Sequence, residues 1–158
     1  MRQSIIIILI IFITELKAQE PIISWQQTIG GSGLDYFISC NQTSDNGYII
    51  GGYSYSGISG DKTEGNIGSA DYWILKLDSV GDIEWQNTIG GTSSDFLASV
   101  EQTFDGGYII GGYSKSGISG DKTELNITGG EGYDYWIVKL NALGSIEWQN
   151  TIGGNNDD

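Results

Sequence analysis

From Tyr48 onward, short runs of apolar, β-branched and aromatic residues are separated by turn residues, and this pattern predicts strands. Tyr72-Trp73-Ile74-Leu75-Lys76-Leu77 is rich in β-branched and aromatic residues. A Gly-containing turn follows at residues 78–82, and Ile83–Ile89 runs back, which together predict a hairpin. A second hairpin joins residues 37–43 to Tyr48–Ser54 through Ser44-Asp45-Asn46-Gly47, with Phe104-Asp105-Gly106-Gly107 as its later counterpart. Asn-Gly and Gly-Gly supply the positive φ that a tight turn requires. Alternation sets Trp73, Leu75 and Leu77 on one face and Tyr72, Ile74 and Lys76 on the other; Trp136, Val138 and Leu140 repeat the first set. No helical period occurs beyond the first residues.

The strands belong to a repeat. Trp25, Trp85 and Trp148 mark its phase, 60 and 63 positions apart. Ile83-Glu84-Trp85-Gln86-Asn87-Thr88-Ile89-Gly90-Gly91 recurs unchanged from Ile146 to Gly154, and residues 47–54 and 56–64 recur as 107–114 and 116–124. The units are 23–82 and 83–145, with a third copy opening at 146–158; the extra three residues of the second unit fall in a Gly-rich stretch between Ile127 and Asp134.

Four antiparallel strands per unit of about 60 residues is the grammar of a β-propeller blade or a related array, in which each sheet buries its apolar face against its neighbour. The expected fold is therefore all-β and propeller-like, with an incomplete ring, because two units and a fraction are too few blades to close. The expectation that follows is an N-terminal part of a longer protein, with further blades of the same chain as partners. Residues 23–29 lack the Tyr-Trp-Ile strand that partners the later copies. In a closed ring that orphan strand would complete the last blade and remove an exposed edge.

Arg2, an uncharged apolar run from Ile5 to Ile13 and small Ala18 predict a secretory signal peptide over 1–18, ahead of a repeat region over 19–158. The run is far shorter than the roughly 20 residues that span a bilayer, so no membrane span is expected after the leader is removed. The chain carries 7 basic and 20 acidic residues, a net charge of −13, which leaves no basic footprint for nucleic acid. With no His and the single Cys40, a Ser-His-Asp or Cys-His triad, a zinc site and an internal disulfide framework are excluded.

The ordered set Asp-Tyr-Trp-Ile-(Leu/Val)-Lys-Leu, Ile-Glu-Trp-Gln-Asn-Thr-Ile-Gly-Gly and Gly-Tyr-Ile-Ile-Gly-Gly-Tyr-Ser resembles the β-propeller repeats of large secreted bacterial proteins, often called SBBP-type repeats. The version rich in Trp-Gln and Tyr-Trp is similar to repeats of Bacteroidetes exported proteins. The resemblance covers essentially residues 23–158. It implies a propeller fold, an address outside the cell and a C-terminal sorting domain in the full protein. For activity it implies little, since such repeats behave as scaffold.

The candidate chemistry lies in the loop between the second and third strands. Ser56-Gly57-Ile58-Ser59-Gly60-Asp61-Lys62-Thr63-Glu64 leads to Asp71, and the second copy carries Asp121, Glu124 and Asp134. Asp61, Glu64, Asp71, Asp121, Glu124 and Asp134 are hard oxygen donors on a Gly-rich loop, a composition suited to calcium. The same residues also suit turn capping through backbone N–H groups, with Lys62 and Lys122 balancing charge. The loop exceeds the length a strand connection needs, and long loops on rigid scaffolds carry binding. Glu84 and Glu147, in identical Ile-Glu-Trp contexts, read as solvent-facing strand positions, because a glycosidase carboxylate pair would not recur once per unit. The Trp residues read as core rather than as a sugar platform. The Gly pairs open no helix and read as close strand approaches. The N-glycosylation triplets at Asn41 and Asn126 read as coincidental.

The expected function is a secreted or cell-surface scaffold, not an enzyme, that binds or adheres to protein or glycan through its rim loops. The alternative is an accessory or carbohydrate-binding region of a larger secreted enzyme.

Overall fold

The computed structural model describes residues 22–127 and 132–154. The expected leader at 1–18, Thr128 of the second glycosylation triplet and the last residues of the third copy lie outside the described residues. Eight strands are present: β1 (Asp35–Gln42), β2 (Tyr48–Ser54), β3 (Asp71–Leu77), β4 (Ile83–Ile89), β5 (Asp95–Gln102), β6 (Tyr108–Ser114), β7 (Asp134–Leu140) and β8 (Ile146–Ile152). They form two four-stranded antiparallel sheets in the orders β1-β2-β3-β4 and β5-β6-β7-β8. The all-β repeat is thereby established, and the two sheets do not close a ring. Among the described residues no helix is long and apolar enough to cross a membrane.

Sheet boundaries are offset from the repeat as counted from Trp25, because the Trp-Gln strand ends a sheet rather than opening one. The register is the same in both sheets: Tyr53 pairs with Tyr72 and Tyr113 with Tyr135. Each first strand also carries a bulge at the same place, between Phe37 and Ser39 and between Leu97 and Ser99. Asn46, at the tip of the first hairpin, takes φ 68°, as an Asn-Gly turn requires.

Alternation does not make one face of β3 wet. All seven of its residues are buried, because the two faces meet different partners. One face, with Tyr72, Ile74, Ile49 and Ile89, packs on Leu97, Val100, Ile110, Trp136, Val138 and Leu140 of the second sheet to form the main core. The other, with Trp73, Leu75 and Leu77, packs under Ile29 and Ile83. Gly51 permits the close approach of the sheets, since a Cβ there would stand 2.9 Å from both Leu97 and Val100. Polar contacts stitch the same seam: Asn41 Nδ2 donates to the Val100 carbonyl (2.6 Å), Asn87 Nδ2 to the Gly144 carbonyl (2.7 Å) and the Tyr72 hydroxyl to the Trp136 carbonyl (3.2 Å).

The orphan copy of the Trp-Gln strand is not a strand in this structure. It nevertheless occupies an equivalent place. Trp25 meets Tyr48 edge-on at 5.5 Å and lies against Gly81, while Trp85 of β4 meets Tyr108 edge-on at 5.5 Å and lies against Gly144. Residues 23–29 therefore lie over the first sheet much as β4 lies over the second, without hydrogen-bonded strand neighbours.

Candidate functional site

The long loop is a clasp. Its second copy grips the Gly-Gly turn that carries the chain from β4 to β5. The Gly90 N–H donates to Asp121 Oδ2 (3.1 Å), Gly91 N–H to Asp95 Oδ2 (2.7 Å), Thr92 N–H to Ser119 Oγ (2.9 Å) and Ser93 N–H to Ser116 Oγ (3.0 Å). The Asp121 N–H returns a bond to the Gly90 carbonyl at 2.9 Å. The first copy repeats the set, with Asp61, Asp35, Ser59 and Ser56 accepting from Gly30, Gly31, Ser32 and Gly33. A turn that would otherwise leave several backbone donors unmade is satisfied by short side chains, which is why Ser and Asp recur there.

The same loop reaches back across its own sheet to the last strand. Glu64 Oε2 accepts the Thr88 N–H at 2.6 Å, and Glu124 accepts the Thr151 N–H. Gln86 takes the Trp73 indole N–H (3.1 Å) and gives its amide to the Asp61 carbonyl (2.7 Å), as Gln149 does with Trp136 and Asp121. This explains the Gln of each repeated Trp-Gln pair and satisfies the buried indoles of Trp73 and Trp136.

Lys62 and Lys122, expected to balance the charge of the loop, are both about 1% exposed. Lys62 Nζ donates to Thr88 Oγ1 and to the Glu64 carbonyl, both at 2.6 Å, and lies 5.8 Å from the Trp73 ring; Lys122 lies 5.2 Å from the Trp136 ring. Their stems cover indole while the ammonium bonds hydroxyl and carbonyl oxygens. Burial pulls both lysines below their ordinary values, against the pull of neighbouring carboxylates.

Each of the six acidic candidates is placed. Asp61, Glu64, Asp121 and Glu124 bond backbone N–H groups as above; Asp71 accepts from Ile67 (2.6 Å) and Gly68 (3.2 Å), and Asp134 accepts from Ile127 (2.6 Å). Among the described residues, no three His, Cys, Asp or Glu side chains gather where they could hold a metal ion. Asp61, Asp71, Asp121 and Asp134 make the contacts of turn capping, and Glu64 and Glu124 bond amides within β4 and β8. Glu84 and Glu147 are exposed and pair with the buried Lys76 and Lys139 at 2.7 and 3.1 Å, opposite Asp45 and Asp105 at 2.9 and 3.0 Å. The amides of Asn41 and Asn126 are committed to the Val100 and Ser114 carbonyls.

Asp71 gives a pH signature. Burial pushes its carboxyl up to about 6, with the nearby Asp95 charge acting in the same direction and the two N–H bonds opposing. The folded state then holds a proton that the unfolded chain has already released. The stability this proton contributes is present below about pH 4 and is lost as pH rises through about 6. Asp71→Asn is therefore expected to remove a loss of about 2 kcal/mol between pH 4 and 7, read as the difference between wild-type and variant urea midpoints across that range. Parallel curves would contradict the assignment.

A second feature lies on the surface. Tyr36 stacks on Tyr53 with ring centroids 4.7 Å apart, Tyr53 meets Phe96 edge-on at 4.8 Å, and Phe96 meets Tyr113 at 5.4 Å and Tyr133 at 5.8 Å. Tyr55 flanks the first pair, and Lys115 Nζ lies 5.9 Å from the Tyr133 ring. These rings form an aromatic belt across both sheets, with Tyr36, Tyr55 and Tyr113 exposed. Neither Tyr36 nor Phe96 belongs to a motif that the sequence pattern singles out. The signal that finds them is cross-strand register, since Tyr36 pairs with Tyr53 and Phe96 with Tyr113.

No protein-family model matches the chain, and no curated protein matches it.

Proposed function

We propose that the chain is a non-catalytic β-repeat scaffold of propeller-like arrangement, exported to the cell surface or beyond, that binds neutral glycan along its aromatic belt. The observation that carries this reading is the belt itself, with rings at matching places on both sheets: Tyr36 with Phe96 and Tyr53 with Tyr113. Exposed phenol rings offer flat apolar faces to the C–H face of a sugar, and their hydroxyls offer polar tips. The export part rests on the leader read at 1–18 and on the net charge of −13, which favours solubility. The Ser and Asp side chains of the clasp loops bond turn amides, which supports placing the binding surface on the belt.

Titration calorimetry against neutral oligosaccharides tests the proposal. Binding is expected to weaken about tenfold in Tyr113→Ala and in Tyr36→Ala, with the fold intact, the cost of one lost aromatic contact of about 1 kcal/mol or slightly more. Absence of binding to every glycan tried, or binding indifferent to both tyrosines, would remove the glycan reading.

A further inference from the structure

The two sheets present one face in two states. In the first sheet Tyr72, Ile74 and Ile89 are 0–1% exposed because the second sheet packs on them. Their counterparts on the second sheet are Tyr135, Ile137 and Ile152, and Tyr135 and Ile152 are 53% and 48% exposed. A Cβ at Gly51 would press on Leu97 and Val100, while a Cβ at the equivalent Gly111 meets nothing within 4 Å. A shallow apolar groove of about 330 Å³ runs there between Ser99, Gly111, Tyr135 and Ile152.

The opposite face is also partly open, at the other end of the molecule. Leu97 and Val100 are fully buried, yet their first-sheet counterparts Phe37 and Cys40 are exposed, Phe37 by 67%. A cavity of about 300 Å³ opens between Phe37, Ile50, Trp73, Leu75 and Ile29. Among the described residues, one half of the inter-sheet interface therefore lies uncovered on the second sheet, and the other half, partly under residues 23–29, lies on the first.

We infer that a second copy of this chain docks head to tail, with the Tyr135–Ile137–Ile152 face of one copy on the Phe37–Trp73–Leu75 face of the next. The occupant is fixed by continuity with the interface inside the chain, where the same residue types already mate. Residues 23–29 occupy the place that the incoming β8 takes; the packing of Trp25 and Ile29 holds them there without a strand ladder, so docking displaces them. Such a contact is heterologous: it leaves one free face of each kind and propagates to rings or open chains. The net charge of −13 opposes it, so association strengthens with added salt.

Sedimentation equilibrium on the chain, expressed from Met1 and purified as the cell processes it, tests the inference up to millimolar concentration. Wild type is expected to grow past the dimer. Ile137→Lys and Phe37→Lys, which block opposite faces, are each expected to weaken self-association about 100-fold, and an equimolar mixture of the two to recover a dimer. Tyr135→Lys, at a more exposed position, replaces Ile137→Lys if that variant fails to fold by circular dichroism. A wild type that stays monomeric overturns the inference. So does growth indifferent to either lysine, or a dimer that Ile137→Lys abolishes and Phe37→Lys leaves intact, which would mean that the second-sheet face pairs with itself.

Discussion

Trp136→Ala is expected to cost about 3–5 kcal/mol of unfolding free energy, the range for removing a fully buried aromatic from a packed core. The indole is 0% exposed, lies 5.2 Å from the Tyr72 ring on one side and 5.2 Å from Lys122 Nζ on another, and bonds Gln149 through its N–H. Truncation opens a cavity in the inter-sheet core and leaves a buried ammonium without its ring. Trp148, one strand away in sequence, is 51% exposed, and Trp148→Ala is expected to cost under about 1 kcal/mol. Urea unfolding of the two variants separates them, and equal losses would contradict the packing of the two sheets.

Gly90→Ala is expected to cost about 3 kcal/mol, at the upper end for overpacking a site that cannot relax. A methyl group at Gly90 would overlap the Asp71 carboxylate, which is itself fully buried and held by the Ile67 and Gly68 amides. Neither side yields easily, because the Gly90 backbone is clamped by Asp121. Gly57 is the control, since a Cβ there meets nothing within 4 Å, and Gly57→Ala is expected to be neutral or slightly stabilising. Chemical denaturation of both variants checks the pair. A harmless Gly90→Ala would mean that the turn is not gripped as described.

Strands and hairpins were legible because period-two patterning and Asn-Gly or Gly-Gly turns are local signals. Trp73 and Trp136 were legible as core for the same reason, standing in phase with Leu75 and Val138. Two-sided burial of β3 was not, because it depends on a second sheet whose placement no local pattern encodes. Nor was the use of the acidic loop. Composition shows that Asp121 and Glu124 are hard donors, and it cannot show that a backbone amide 31 or 27 positions away lies in reach of each. The burial of Lys122 was hidden for the same reason; its partners, Trp136 and Thr151, come from β7 and β8. The aromatic belt needed the register of two hairpins before its rings fell into one row.

The central claim is that the repeated Ser- and Asp-rich loop locks the crossing between sheets. Amide hydrogen exchange followed by NMR tests it most directly, at Gly90, Thr92 and Ser93, whose N–H groups the loop holds. The account predicts that these turn amides exchange nearly as slowly as those of β6 and β7, and far more slowly than the fully exposed hairpin tip at Phe104. Exchange at the rate of the Phe104 tip would mean that the loop stands free of the turn, and the clasp would be abandoned.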